Sequence, residues 1–150
     1  MDLRRLRTGE WLAAISGVSL LVSLFLPWYE IAGLRGPARS GWTAYGPLSG
    51  SLTASGWESL SVIDVLLALV AVSGVLLAVV TATQRVPALP VAVSALVSLF
   101  GMVGIVLVLF RVLDTPDWAT GRDWALWLGL ASSVGVVAGA LLAMRDEIRP

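Results

Sequence analysis

The chain contains no cysteine, no histidine and no lysine, and all ten of its basic residues are arginine. Whole classes of chemistry go with them. Without thiols there is no disulfide, no thiolate nucleophile and no cysteine ligand for zinc or an iron–sulfur cluster. Without imidazole or a side-chain amine there is no histidine base, no Schiff-base lysine and no histidine ligand for zinc or haem. The serines lack the partners that usually activate them, and no close pair of carboxylates is evident to act as acid and base. Neither catalysis nor a resident cofactor is therefore expected. Charge is scarce as well, at 13% of residues with a formal net charge of zero, which leaves no basic surface for nucleic acid and no acidic tail for a cationic partner.

What the chain has instead is apolar length. Of its 150 residues 57% are hydrophobic, and they gather in four blocks at about residues 11–29, 60–82, 88–112 and 124–144. A helix rising ~1.5 Å per residue needs about 20 such residues to cross the hydrocarbon of a bilayer. The blocks predict an all-α membrane fold, a single domain over residues 1–150 built as an antiparallel four-helix transmembrane bundle. Arg4, Arg5 and Arg7 give the first block the basic start of a signal peptide, but the apolar run is long for one. Glu30 also falls where cleavage wants a small residue. The first block is expected to remain as a helix.

Orientation follows from arginine placement. Arg4, Arg5, Arg7, Arg85, Arg145 and Arg149 flank one side of the blocks, against Arg35, Arg39, Arg111 and Arg122 on the other. The excess points to a multi-pass cell-membrane protein with both termini cytoplasmic. Trp11, Trp28, Trp57 and Trp124 fall where helices should meet headgroups, and are expected to act as interface anchors.

The connections differ in kind. Thr83 to Pro87 is short, and Pro87 and Pro90 suit the first turn of a helix, so the second and third helices are expected to form a tight hairpin. The first extracytoplasmic loop, residues 30–59, is long and rich in glycine, with Trp42 and Tyr45 interrupting its polarity. Two readings stay open for it, a loop lying on the membrane surface or a small cap with a hairpin around Trp42 to Tyr45. No internal repeat is convincing, which leaves little for inverted-repeat transporter logic.

Few residues inside the blocks stand out. Ala131, Gly135, Gly139 and Ala143 recur every fourth residue in the last block, a small-residue stripe that lets two backbones approach closely in lipid. Its partner is another helix of the same bundle or a second copy. Asp64 lies about one turn inside the second helix and Arg111 closes the third at the same face, so the two are expected to form a structural ion pair. The remaining polar residues of the blocks are serines and threonines, which commonly bond across helices or back to their own carbonyls, and they form no polar stripe through all depths. Asp114, Asp117 and Asp123 do not match a calcium-loop spacing and are read as a solvated loop.

Arg4-Arg5-Leu6-Arg7, Gly9 to Ala13 and Leu26-Pro27-Trp28-Tyr29 resemble the opening of a group of small uncharacterised membrane proteins of actinobacteria. So do Asp64 to Leu69, Phe110-Arg111 with Asp114, Trp127 to Leu130 and Met144 to Glu147. The resemblance implies four spans and a membrane address, and carries no assigned activity; the expected setting is a bacterial inner membrane. A more distant similarity is to the claudin-like four-helix architecture, without that family's cysteine pair. The expected role is non-catalytic, a scaffold or subunit of an envelope complex that meets the lipid bilayer and a membrane-protein partner or its own copies. The alternative is a small transporter or channel component active as an oligomer.

Overall fold

The structure, a computed structural model, describes residues 6–31, 42–43, 46–47, 53–55, 62–83, 88–115, 117 and 119–148. Among these residues four helices carry the fold: α1 (Thr8–Leu24), α2 (Ile63–Thr83), α3 (Ala88–Leu113) and α4 (Trp124–Ile148). Ile63–Thr83, Ala92–Leu113 and Trp124–Asp146 are long and apolar enough to cross a membrane, and α1 is a shorter apolar helix. By length and composition this is a membrane-embedded helical protein.

The helices are arranged as a square. α1 packs along α4 and α2, α3 packs along α4 and less closely along α2, and α2 barely meets α4, so α1 and α3 occupy opposite corners. Small residues set this arrangement, because they let backbones come together where no hydrophobic effect would drive helices from lipid. Gly9 and Gly139 lie so close across the α1–α4 seam that a β-carbon on either would fall inside van der Waals contact with the other's carbonyl oxygen, at 2.9 and 2.8 Å. On its other side α1 meets α2 through Gly17, where an added β-carbon would sit 2.5 Å from the Ala71 carbonyl oxygen, and through Gly74, 2.8 Å from that of Ala13. In both seams residue numbers rise on one helix as they fall on the other, so each pair runs antiparallel.

The expected first helix of residues 11–29 needs correction at both ends. It begins at Thr8 and stops at Leu24. Pro27 supplies no backbone N–H and turns Leu26 away from helical geometry. The Phe25 and Leu26 amides close the last turn on the Val22 and Ser23 carbonyls, at 3.1 Å each. The helical class expected from the sequence holds, and beyond the break the chain is extended and must pair its backbone groups. Strands β1 (Pro27–Ile31), β4 (Thr53–Ser55) and β5 (Ala119–Arg122) form an antiparallel sheet in the order β4-β1-β5. β2 (Trp42–Thr43) pairs antiparallel with β3 (Gly46–Pro47) in the long connection.

Two apolar cores result. One fills the middle and the terminus end with Ala13, Leu20, Val70, Ala71, Leu77, Val97, Val136, Ala140 and Ala143. The other closes the sheet end with Leu24, Trp28, Tyr29, Leu67, Val108, Ala125 and Leu126, drawn from all four helices and β1.

Candidate functional site

The sheet end gathers the polar chemistry of the chain around two consecutive aromatics. Trp28 and Tyr29 are both 0% exposed, although neighbouring residues of a regular strand point to opposite faces. The register of β1 on β4 shifts between Pro27 and Tyr29, a bulge that lets both side chains turn into the bundle. Each carries one polar atom, and each spends it on the end of a helix. The Trp28 indole N–H donates to the Ser23 carbonyl in the last turn of α1 at 2.6 Å, and the Tyr29 hydroxyl donates to the Arg111 carbonyl in the last turn of α3 at 3.2 Å. The last four carbonyls of a helix have no partner in its regular ladder; the indole adds a second donor to the Ser23 carbonyl that the Leu26 amide already engages, and the phenol supplies one to the Arg111 carbonyl. The Trp28 ring lies over Gly129 of α4, where a β-carbon would come within 3.1 Å of it.

Trp28 is therefore corrected from an interface anchor to a core residue. Its position next to a helix end resembles that of a belt residue in the sequence, but the bulge folds it inward. Trp11 and Trp124 are 45% and 58% exposed, and Trp127, which sequence reasoning passed over as an anchor, is 53% exposed. Trp57, Tyr45 and the Trp42 side chain lie outside the described residues, and the outer-cap reading of Trp42 and Tyr45 rests there.

The Tyr29 phenol sits among four charges. Burial raises its pKa above 10.0, opposed by the positive fields of Arg111 and Arg122 and reinforced by the negative fields of Asp114 and Asp64. Asp64 is 2% exposed. Arg111 holds its guanidinium 6.0 Å from the centre of the Phe110 ring, and its buried Nε has no hydrogen-bond partner among the described residues. The two charges singled out in the sequence thus both act on one phenol, a grouping the sequence gave no reason to expect. Arg122 donates to the Thr115 hydroxyl at 3.2 Å. Asp123, directly before α4, accepts the Trp124 amide at 2.6 Å.

At the opposite end the structure buries a carboxylate that sequence reasoning missed. Glu10 is 2% exposed and accepts the Arg7 backbone N–H at 2.8 Å, while the Arg7 guanidinium donates to the Asp146 carbonyl near the end of α4. The three-residue spacing of Arg7 and Glu10 at a helix start was the available signal, since a glutamate there commonly reaches back to the first free amide.

The small-residue stripe of α4 resolves into two parts. Gly135, Gly139 and Ala143 face α1, opposite Ser16, Ala13 and Gly9. Ala131 is exposed, and Ser132 and Ser133 take the buried positions beside it. A four-residue repeat advances about 40° per step on a helix of ~3.6 residues per turn, so a straight stripe drifts off its face over three steps.

Several inward hydroxyls turn to their own helices. Ser23, Ser73, Ser98 and Ser133 donate to carbonyls three or four residues earlier, at 2.7, 2.7, 2.8 and 3.0 Å. Comparison with protein-family models, with curated proteins and with solved structures finds no match for this chain.

Proposed function

We propose that this chain spans the cell membrane four times, with both termini cytoplasmic and the sheet end outside. Its role on this reading is non-catalytic, as a scaffold or subunit of an envelope complex. The observation that carries this is the closure of the bundle interior. α1 touches α4 and α2 backbone to backbone at Gly9, Gly139, Gly17 and Gly74, and Ser23, Ser73, Ser98 and Ser133 bond carbonyls of their own helices. A conducting path needs polar groups or water along its whole depth, and neither fits between backbones in contact. The outer faces, in contrast, present large apolar side chains on every helix, from Ile15 and Val18 on α1 to Leu141 on α4. That surface suits lipid and the lipid-buried face of another membrane protein or a second copy.

The test uses the purified chain and its native membrane together. Proteoliposomes of the chain alone should pass protons and small ions no faster than protein-free vesicles, and mild solubilisation of native membranes should yield it in a complex of fixed stoichiometry. Flux by the chain alone would overturn the scaffold reading for the channel alternative, for which the buried Asp64 would be the first residue to examine. Orientation is tested separately, since a cysteine-free chain accepts single reporters cleanly. Ser51→Cys should react with an impermeant reagent in intact cells and Thr83→Cys should not; the reverse pattern would invert the topology.

A further inference from the structure

Two polar groups at the terminus end stand apart from the hydroxyls that bond their own helices. Glu10 is 2% exposed. One of its carboxylate oxygens accepts the Arg7 amide, a neutral donor, while the Arg7 guanidinium is engaged at the Asp146 carbonyl. An amide leaves the negative charge in place, and a buried charge is costly unless something of opposite sign meets it. On α2 the Thr81 hydroxyl oxygen is buried and has no hydrogen-bond partner among the described residues. Ser73 and Thr83 of the same helix do bond carbonyls three or four residues earlier.

The α1–α2 register brings these two groups to one place. A β-carbon on Gly17 would meet the Ala71 carbonyl oxygen at 2.5 Å and the Val75 nitrogen at 3.3 Å, and one on Gly74 would meet the Ala13 carbonyl oxygen at 2.8 Å. Two helical turns, about seven residues, return to the same row within ~20°. Two turns from Gly17 toward the start of α1 lies Glu10. Two turns from Ala71, Gly74 and Val75 toward the end of α2 lie Ala78, Thr81 and Ala82. The row of Glu10 therefore faces the row of Thr81, with Ala78 and Ala82 buried beside it and carrying only methyls.

We propose that Glu10 and Thr81 bind a monovalent alkali cation that ties the start of α1 to the last turns of α2. A carboxylate and a hydroxyl are hard oxygen donors, which suit an ion of this class. The helix ends add to them. α2 stops at Thr83, so its last carbonyls lie outside the regular ladder, and helix C-termini of this kind serve as ligands for alkali ions in membrane proteins. α4 reaches the same end, where Ala143 meets Gly9, and two C-terminal dipoles favour positive charge there. Charge count selects the valence. One carboxylate balances one positive charge, whereas a divalent ion would carry an uncompensated charge into a buried site. The inference goes beyond the scaffold reading and holds however the chain lies in the membrane.

The experiment follows thermal unfolding of the full chain in a neutral detergent, with sodium or potassium chloride replacing choline chloride at constant ionic strength. At least one of the two alkali ions should raise Tm along a saturable curve, by about 3 to 6 °C when the site is full. Two variants locate the effect. Glu10→Gln keeps an oxygen for the Arg7 amide and removes the charge, and Thr81→Val keeps the shape and removes the hydroxyl. Both should lose the saturable rise. In choline Thr81→Val should melt no lower than the parent, because it removes a buried hydroxyl that has nothing to bond. A parent whose Tm is the same in choline and in both alkali salts would overturn the proposal, as would a full alkali response in either variant. A saturable response to calcium but not to sodium or potassium would overturn the monovalent assignment.

Discussion

The α1–α4 seam and the packing of α3 against its neighbours use the same residue, glycine, and treat it differently. At Gly139 and Gly9 an added β-carbon would strike the backbone of the facing helix, whereas at Gly104 it would meet the methyls of Val70 at 3.1 Å and at Gly101 a methyl of Val137 at 2.6 Å. Backbone cannot step aside without separating two helices along their length, but a valine methyl moves with one torsion. The seam is a fixed spacing and the α3 contact is an adjustable one. A glycine in a transmembrane helix therefore says little about tolerance until its opposite number is known.

The largest expected effect tests the fixed seam. Gly139→Leu should lower stability in detergent by about 3 kcal/mol or more, because the overpacked contact has no side chain that can yield. Denaturation in mixed micelles measures it, and a change below about 1 kcal/mol would place the two seams in one class. Next comes the aromatic at the sheet end that joins α1 to α4. Trp28→Phe leaves the Ser23 carbonyl without its indole donor and removes ring volume over Gly129, for an expected loss of about 2 kcal/mol. A neutral outcome would mean that the α1 break is held by Pro27 alone.

Tyr29→Phe tests the tie between β1 and α3, and its cost at neutral pH should be about 1 kcal/mol, the net worth of one hydrogen bond. Its pH dependence is more telling. Burial holds the phenol pKa above 10.0, so the unfolded chain loses this proton first as pH rises. The stability linked to the raised pKa is complete below the unfolded value and is lost as pH climbs through the folded one. The parent should therefore weaken under alkaline conditions by a component that Tyr29→Phe lacks. Parallel pH profiles for the two proteins would show that the phenol ionises as freely folded as unfolded. The smallest effect is expected at Gly104→Ala, within about 0.5 kcal/mol either way. There the helix preference of alanine offsets a contact that the Val70 side chain can relax. A loss comparable to that of Gly139→Leu would erase the distinction between seams.

Much of this was legible in advance for a simple reason. A helix in hydrocarbon must satisfy its backbone internally and cover itself with apolar side chains, so α2, α3 and α4 announce themselves by block length. The end of α1 did not, because Phe25 to Tyr29 continues the apolar run and hydropathy does not separate a residue facing lipid from one folded into a core. Pro27 was the clue that the helix had to stop. Glu10 escaped notice because a carboxylate in a first turn usually stands in water, whereas in the fold it is buried and held by the Arg7 amide.

The sequence by itself determined the four apolar helices, their antiparallel alternation through short and long connections, and the poverty of reactive side chains. Those properties depend on composition and length, which each segment carries alone. Tertiary structure decided which faces meet: that α1 rather than the α2–α3 hairpin forms the closest seams, that Ala131 leaves the stripe its neighbours keep, and that Trp28 and Tyr29 both turn inward to cap α1 and α3. These depend on how far two backbones can approach and on which carbonyls a helix end leaves unsatisfied, and neither is a property of one segment taken alone.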